Sequence, residues 1–263
     1  MGLSFPTCKS DWRDDPVNVT STPLSLNEIR FYFTRAAVGA GTPFGIGEVF
    51  TAASMHLAFL GIDPARAAAS ALSSLITGQS CTSLALRDDD NIIHVESRRP
   101  LEVSALYAGP VAADRLFIEA GYGSESRFRI HRVDQPLIVA GAVAATGIEN
   151  ARIVVSWTKG CGSPARMDLN GDIASLTGMQ ENVEHPSGPA TVDLLLTSLD
   201  SGKPLTTGLT RSIVQGRSRA IQHGVEMDSL SRATVMAFFN RSLVPTSHLS
   251  RETGAGTGAE DSD

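Results

Sequence analysis

Cysteine is scarce in this sequence, and what there is suits no cross-link. Cys8, Cys81 and Cys161 are an odd number, and no two of them form a Cys-x-x-Cys pair. That usage fits a reducing compartment better than a disulfide framework. Long hydrophobic runs are missing too. The longest apolar stretch, residues 137–145, contains Gly141 and falls well short of the ~18 residues that a membrane-spanning helix needs. The first twenty residues hold Lys9, Asp11, Arg13, Asp14 and Asp15 and no hydrophobic segment of signal-peptide type, so a cytoplasmic location is expected. Positive charge is not in excess. A net charge of −6 leaves no electrostatic footprint for nucleic acid, whose phosphates call for a basic surface. The densest basic stretch, residues 211–219, carries Arg211, Arg217 and Arg219 without interleaved aromatics and reads as a solvated face. Neither a nucleic acid nor a membrane is an expected partner.

The remaining composition is that of a globular chain. With 263 residues, 42% hydrophobic and 19% charged, it can bury one large core or two small ones. No linker divides it convincingly. Residues 1–23 are polar, aperiodic and broken by Pro6, Pro16 and Pro23, and read as a loosely attached extension. Residues 24–250 read as a single α+β domain, and residues 251–263 as a Gly-rich acidic tail.

Within the domain the first helix is the best marked. Ser25 and Glu28 make a capping box, Leu24 and Ile29 can form a hydrophobic staple, and Leu26, Ile29 and Phe33 recur at helical spacing. Gly39 is the expected left-handed stop. A second helix is expected over residues 46–60, ended by Gly61. A third covers residues 65–77, with Asp63 as cap and Pro64 at its first position. From Cys81 onward the texture is strand-like. Residues 83–86, 91–96, 101–106, 128–133, 137–145, 151–157 and 191–199 read as strands, and residues 111–120 as a short helix after Pro110. Residues 159–189 read as long loops with room for one short strand. A last helix begins at Asp228 or Ser229 and stops before Pro245. Helices, then strands, then a helix make an α+β pattern: an N-terminal helical layer on a mainly antiparallel sheet.

The most specific feature is residues 35–48, where Arg35 precedes Gly39, Gly41, Thr42, Gly45, Gly47 and Glu48. Gly-Ala-Gly-Thr returns near the end of the chain, after Arg251, at Gly254 and Gly256. A dinucleotide fingerprint must follow a strand, because the pyrophosphate sits where a strand turns into a helix; this loop follows a helix. No Gly-Lys-Ser/Thr phosphate loop exists either. What survives is a glycine-built corner whose second helix offers its N-terminus to an anion, with Arg35, Glu48 and Arg251 as polar groups. Two readings of the glycines stand side by side: close approach of a ligand, and a tight helix–helix turn. Glu28 reads as a cap. Glu48, in the first turn of its helix, reads as an answer to the macrodipole.

Other chemistry-bearing residues form no set. His56, His94, His131, His185, His223 and His248 show no paired helical spacing, and no metal site is expected. His94 and His131 lie singly in strand-like runs. Lys159 next to Gly160 and Cys161 places a thiol beside a cation but matches no nucleophile motif. Asp168, Asn170 and Asp172 lack the closing glutamate of a calcium loop and read as a turn.

At Ser25-Leu-Asn-Glu28, Arg35-Ala-Ala-Val-Gly-Ala-Gly41 and Gly45-Ile-Gly-Glu48, and again at Val244-Pro-Thr-Ser247, Ser250-Arg251 and Gly254-Ala-Gly-Thr-Gly258, the chain resembles a bacterial family of unknown function, DUF3726. The resemblance covers about residues 24–263. Where that family has Gly-Leu-Ala-Glu-Glu this chain has Gly45-Ile-Gly-Glu48-Val49, so the second carboxylate of the pair is missing. The family pattern ends near Gly-Ala-Gly-Leu-Thr-Asp-Asn-Asp, against Gly256-Thr-Gly-Ala-Glu-Asp-Ser-Asp263 here. The resemblance implies a soluble bacterial protein and brings no reaction or cofactor. Two functions therefore stand at this point. One is a metabolic enzyme or binder of a small anionic metabolite, with Arg35, Gly39, Gly41, Thr42, Gly45, Gly47, Glu48, Arg251, Gly254 and Gly256 as the ligand-binding set. The other is a non-catalytic accessory protein that docks through its Gly-rich acidic tail, residues 260–263 included.

Overall fold

The computed structural model describes residues 22–158, 162–178, 189–199 and 208–243. Three helices open the fold: α1 (Leu26–Gly39), α2 (Phe44–Phe59) and α3 (Pro64–Ile76). The capping box of α1 forms as the sequence requires, with Glu28 accepting from the Ser25 amide at 2.8 Å. Its left-handed stop falls two residues later than expected. The left-handed residue is Gly41 (φ 94°), and the Thr42 amide closes a Schellman motif on the Ala37 carbonyl at 3.1 Å. Asp63 caps α3 by accepting from the Ala65 amide at 2.9 Å.

Among the described residues ten strands follow, interleaved with four more helices. They are β1 (Ser80–Cys81), β2 (Leu84–Asp89), β3 (Ile92–Ser97), β4 (Glu102–Val103), α4 (Ala105–Gly121), β5 (Ser126–Val133), α5 (Pro136–Ala144), β6 (Ala151–Thr158), β7 (Pro164–Asn170), β8 (Ile173–Thr177), β9 (Ala190–Ser198), β10 (Leu209–Ser212), α6 (Ile213–His223) and α7 (Ser229–Arg241). The sheet runs β1-β4-β5-β9-β6-β7-β8-β10, and β3 also joins β5 and carries β2 outside it. β3 and β4 share one edge of β5 in parallel, and β1 is parallel to β4; the other pairings are antiparallel. This is the expected α+β class with a mainly antiparallel sheet.

Alternation decides which face of the sheet meets the helices. Phe128 and Ile130 on β5, Val192, Leu194 and Leu196 on β9, and Ile153, Val155 and Trp157 on β6 are buried together. Their cross-strand pairs include Phe128–Leu194 and Val155–Leu194. Helices α4 and α5 lie against this face at β5 and β9, and α1, α2, α3 and α7 pack beyond them. The core is one continuous cluster.

Several elements depart from the sequence reading. Residues 137–145, expected as a strand, form α5, whose nine residues are all buried. A wholly apolar run has no period, so periodicity cannot separate a core strand from a core helix. Pro136 at the first helical position and the Ala-Gly content settle it as helix. Residues 101–106 supply only the two-residue β4 before α4 begins, and α4 runs straight through Pro110, the boundary expected from the sequence. Ala105, Leu106, Ala108 and Gly109 on its first turns are buried, and that packing overrides the local cost of the proline. The polar stretch after residue 162 holds the β7–β8 hairpin. The long connection before Asp228 holds β10 and α6.

Helix α5 sits close to α2 because Gly141 presents no side chain. A Cβ there would stand 2.5 Å from the Ala53 carbonyl oxygen. Gly45, by contrast, has nothing within 4 Å of its Cβ position. Gly141→Ala is expected to destabilise the fold by about 1–3 kcal/mol through overpacking. Gly45→Ala should be neutral or stabilising by up to about 1 kcal/mol. Paired denaturant titrations of the two variants check both signs.

Candidate functional site

Three helices build one concave space. Helix α2 forms its floor with Glu48, Thr51, Ala52, Met55, His56 and Phe59, all on one stripe of three- and four-residue spacing. Asn27, Arg30 and Thr34 of α1 make one wall, and Ile213, Val214, Arg217 and Ile221 of α6 make the other. The cleft encloses about 910 Å³. It is held by contacts that bring backbones close. Gly47 of α2 lies against the Thr34 carbonyl of α1, where a Cβ would stand at 2.8 Å. Gly216 of α6 lies against the Phe59 carbonyl of α2, where a Cβ would stand at 1.8 Å. The Thr34 and Thr51 hydroxyls bond to each other at 2.9 Å and close the seam between α1 and α2.

Two guanidiniums and one carboxylate, Glu48, line the cleft, so its charge is net positive. Arg30 and Arg217 reach it from opposite walls, and neither has a carboxylate partner among the described residues. His56 adds a polar group whose state the geometry fixes. Its Nδ1–H donates to the Ala52 carbonyl at 2.9 Å, so Nε2 carries the lone pair. Burial lowers the His56 pKa, with Arg217 acting in the same direction against the Ala52 carbonyl, and the ring is neutral at pH 7. Phe59 packs edge-on to it at 5.1 Å.

The residues singled out in the sequence are distributed unevenly around this cleft. Glu48 is in its lining. Arg35 is not; its guanidinium stacks on the Phe31 ring at 3.9 Å. Gly39 faces α7, where a Cβ would stand 1.9 Å from the Phe238 carbonyl oxygen. Gly39 and Gly47 are therefore demanded by helix packing and Gly41 by the left-handed turn, to which Thr42 contributes only its backbone amide. Gly45 faces open space in the first turn of α2. Arg251, Gly254 and Gly256 lie outside the described residues, as do Lys159 and Cys161 and the tail at 260–263. Arg30, His56 and Arg217 were not in the set read from the sequence. The helical spacing of Asn27, Arg30 and Thr34 is a signal for the first, whereas the sequence reads as connection where α6 forms.

A second polar centre is buried where β5 hands over to α5. Asp134 accepts from the Ala105 amide at 2.8 Å and so caps α4. Burial pushes its pKa up to about 6, with the Ala105 N–H pulling the other way and Glu102 adding to the rise. Ser80, Ser104 and Gln135 are buried beside it in sequence or across β4. Serine 83 donates its amide to the Cys81 sulfur nearby, and that cysteine is free and buried.

No family model matches the chain, and no curated protein matches it by sequence. Solved structures do match in fold. Malate dehydrogenase from Pyrococcus horikoshii superposes with a TM-score of 0.57 at 7% identity, covering 85% of this chain and 96% of that one. Sulfolactate dehydrogenase from Methanocaldococcus jannaschii gives 0.55 at 8%, covering 84% and 97%. Delta1-piperideine-2-carboxylate reductase from Pseudomonas syringae gives 0.51 at 12%, covering 83% and 100%. At these identities the likeness is one of architecture.

Asp134 makes a pH test of the buried centre. The folded protein holds this proton up to about pH 6, whereas the unfolded chain releases it near the ordinary aspartate value of 3.8. The folded form thus binds more protons between the two. Its contribution to stability is complete below the lower value and is lost as pH rises through the upper one. Asp134→Asn keeps the acceptor for Ala105 and removes the ionisation. Its Tm is expected to exceed that of the wild type at pH 8, with the gap closing toward pH 4.5 in a series of thermal melts.

Proposed function

We propose that this protein is a metabolic protein that binds a small organic anion in the cleft between α1, α2 and α6. The observation that carries this reading is the pair of arginines, Arg30 and Arg217, that enter one concave space from opposite walls without carboxylate partners among the described residues. A guanidinium pair separated by a cleft is suited to a carboxylate, sulfonate or phosphate, each of which offers paired oxygens to a planar fork of donors. His56 supplies a neutral ring beside them, and its Nε2 can accept a hydrogen bond from a ligand hydroxyl. Met55, Phe59, Val214 and Ile221 give the apolar lining that a carbon skeleton requires. The solved structures that share this architecture are named for malate, sulfolactate and a piperideine carboxylate, all small organic anions. That agreement supports the ligand class, and the reaction is left unassigned.

Binding to the native state raises the melting point by mass action, so a thermal-shift titration reads the ligand directly. Malate, sulfolactate and phosphate are titrated against glycerol as a neutral comparison. One of the anions is expected to stabilise the wild type. Arg30→Gln and Arg217→Gln should each weaken that anion about tenfold or more, the range of a lost hydrogen bond to a charged group. Arg219→Gln, on α6 but outside the cleft lining, should leave it unchanged. Stabilisation by none of the anions, or equal affinity in Arg217→Gln, would contradict the proposal. Loss in Arg35→Ala with Arg217→Gln unaffected would instead move the ligand to the glycine corner.

A further inference from the structure

On the sheet face away from the core helices, we propose a site for a first-row divalent metal ion, zinc foremost, held by His94, Glu96 and His131. This inference stands apart from the cleft, since none of the three residues lines it. His94 and Glu96 are two apart on β3 and therefore share a face. The parallel register that sets Val95 opposite Ile130 brings β5 residue His131 beside them. Nδ1 of His94 lies 2.8 Å from Nε2 of His131, with the rings 18° from parallel and their centroids 5.2 Å apart. The same Nε2 lies 3.6 Å from Oε1 of Glu96. One ligand atom from each residue falls within 4.8 Å of the others.

Those separations suit a shared cation. Tetrahedral zinc with bonds of about 2.0–2.1 Å places its ligand atoms about 3.3 Å apart. The His94–His131 contact widens by about half an ångström to admit the ion, and the Glu96 contact closes by less. Two imidazole nitrogens and one carboxylate oxygen are borderline donors that favour zinc and its neighbours over calcium or magnesium. Three protein ligands leave a coordination position open, the pattern of a site that takes water or a ligand rather than a purely structural one.

Of the two flanking guanidiniums, Arg129 is paired away from the site and Arg87 is shared with it. Arg87 on β2 pairs with Asp89, and its other nitrogen lies 3.6 Å from Oε1 of Glu96. Arg129, opposite His94 on β5, donates to Asp193 at 2.6 Å. Asp89 and Asp193 thus take the main hydrogen bonds of the two guanidiniums, while Glu96 lies between Arg87 and His131, so a bound ion competes with Arg87 for its charge. His94 is buried, whereas Glu96 and His131 are partly open, which gives the ion a path from solvent.

The test uses the full chain without an affinity tag, stripped by chelator at neutral pH. Isothermal titration with Zn²⁺ and visible spectroscopy with Co²⁺ are expected to give one equivalent bound with nitrogen and oxygen ligation. Glu96→Gln and His131→Ala, both at half-exposed positions, should fold as the wild type does. Each should lose at least the roughly 10–100-fold in affinity that even an outer-shell change costs. His94→Ala should do the same, and the other two carry the test where it does not fold. His223→Ala, at the end of α6, should bind as the wild type does. Absence of binding, unchanged binding in Glu96→Gln and His131→Ala, or an intense thiolate-to-cobalt band that places the ion on cysteine would each overturn the proposal.

Discussion

Helix α5 can be in the middle of the helical layer only because it is narrow. Its Gly141 meets the backbone of Ala53, and its Ala142 meets Gly109 of α4 at 3.0 Å from a notional Cβ. With all nine residues buried, α5 has no polar face, so its position is set by shape alone. Through these contacts it locates α2 on one side and α4 on the other. Helix α2 in turn carries the floor of the cleft, and α4 carries the cap accepted by Asp134. A small-residue seam therefore fixes both polar centres of the helical layer without contributing an atom to either.

The sheet has two faces of different character. Toward the helices it is continuous hydrocarbon. Away from them it carries a row of polar residues across neighbouring strands: Arg87 opposite His94, His94 opposite Arg129, Arg129 opposite Asp193, and Asp193 opposite Ser156. Farther along, Asp168 is fully buried and accepts from Arg152 Nε at 2.7 Å and from Arg166 at 3.2 Å. A carboxylate with no exposed surface persists only when paired, since an uncompensated buried charge costs several kcal/mol, about 3–5 when a partner is removed. The strand register places both arginines within reach, Arg152 across from Asn170 and Arg166 two residues along β7. Polar chemistry on this face is thus a property of the pairing order, not of any local run of sequence.

That contrast explains what the sequence could disclose. The starts of α1 and α3 are legible because caps act over two or three residues: Ser25 with Glu28, and Asp63 with Ala65. The alternation of β5 and β9 is legible because each has one buried face. The helix at α5 was not, because an apolar run without polar interruption has no phase. The role of the glycine corner was half legible. Its turn and its packing could be foreseen, but which glycine is left-handed depends on where the last hydrogen bond closes. The arginines of the cleft come from two helices nearly two hundred residues apart in the chain, and His94 and His131 from two strands. Proximity of that kind is created by topology, and spacing along a single element cannot report it.

The connection between α6 and the sheet has a mechanical consequence. Asp172, in the turn between β7 and β8, accepts from the Ser212 hydroxyl at 2.6 Å and from the Val214 amide at 2.7 Å, and its carbonyl takes the Ile213 amide at 2.9 Å. One turn residue thus grips the start of the helix that bears Arg217. On its other side that helix touches α2 through Gly216 and Ala220, its two buried residues. Helix α6 is in effect a lever with a small fulcrum and a clamped end. The helix that bears Arg217 is thus held from two sides, by the β7–β8 turn at its start and by α2 along its length, which adds a second tie between helical layer and sheet to the packing of α4 and α5.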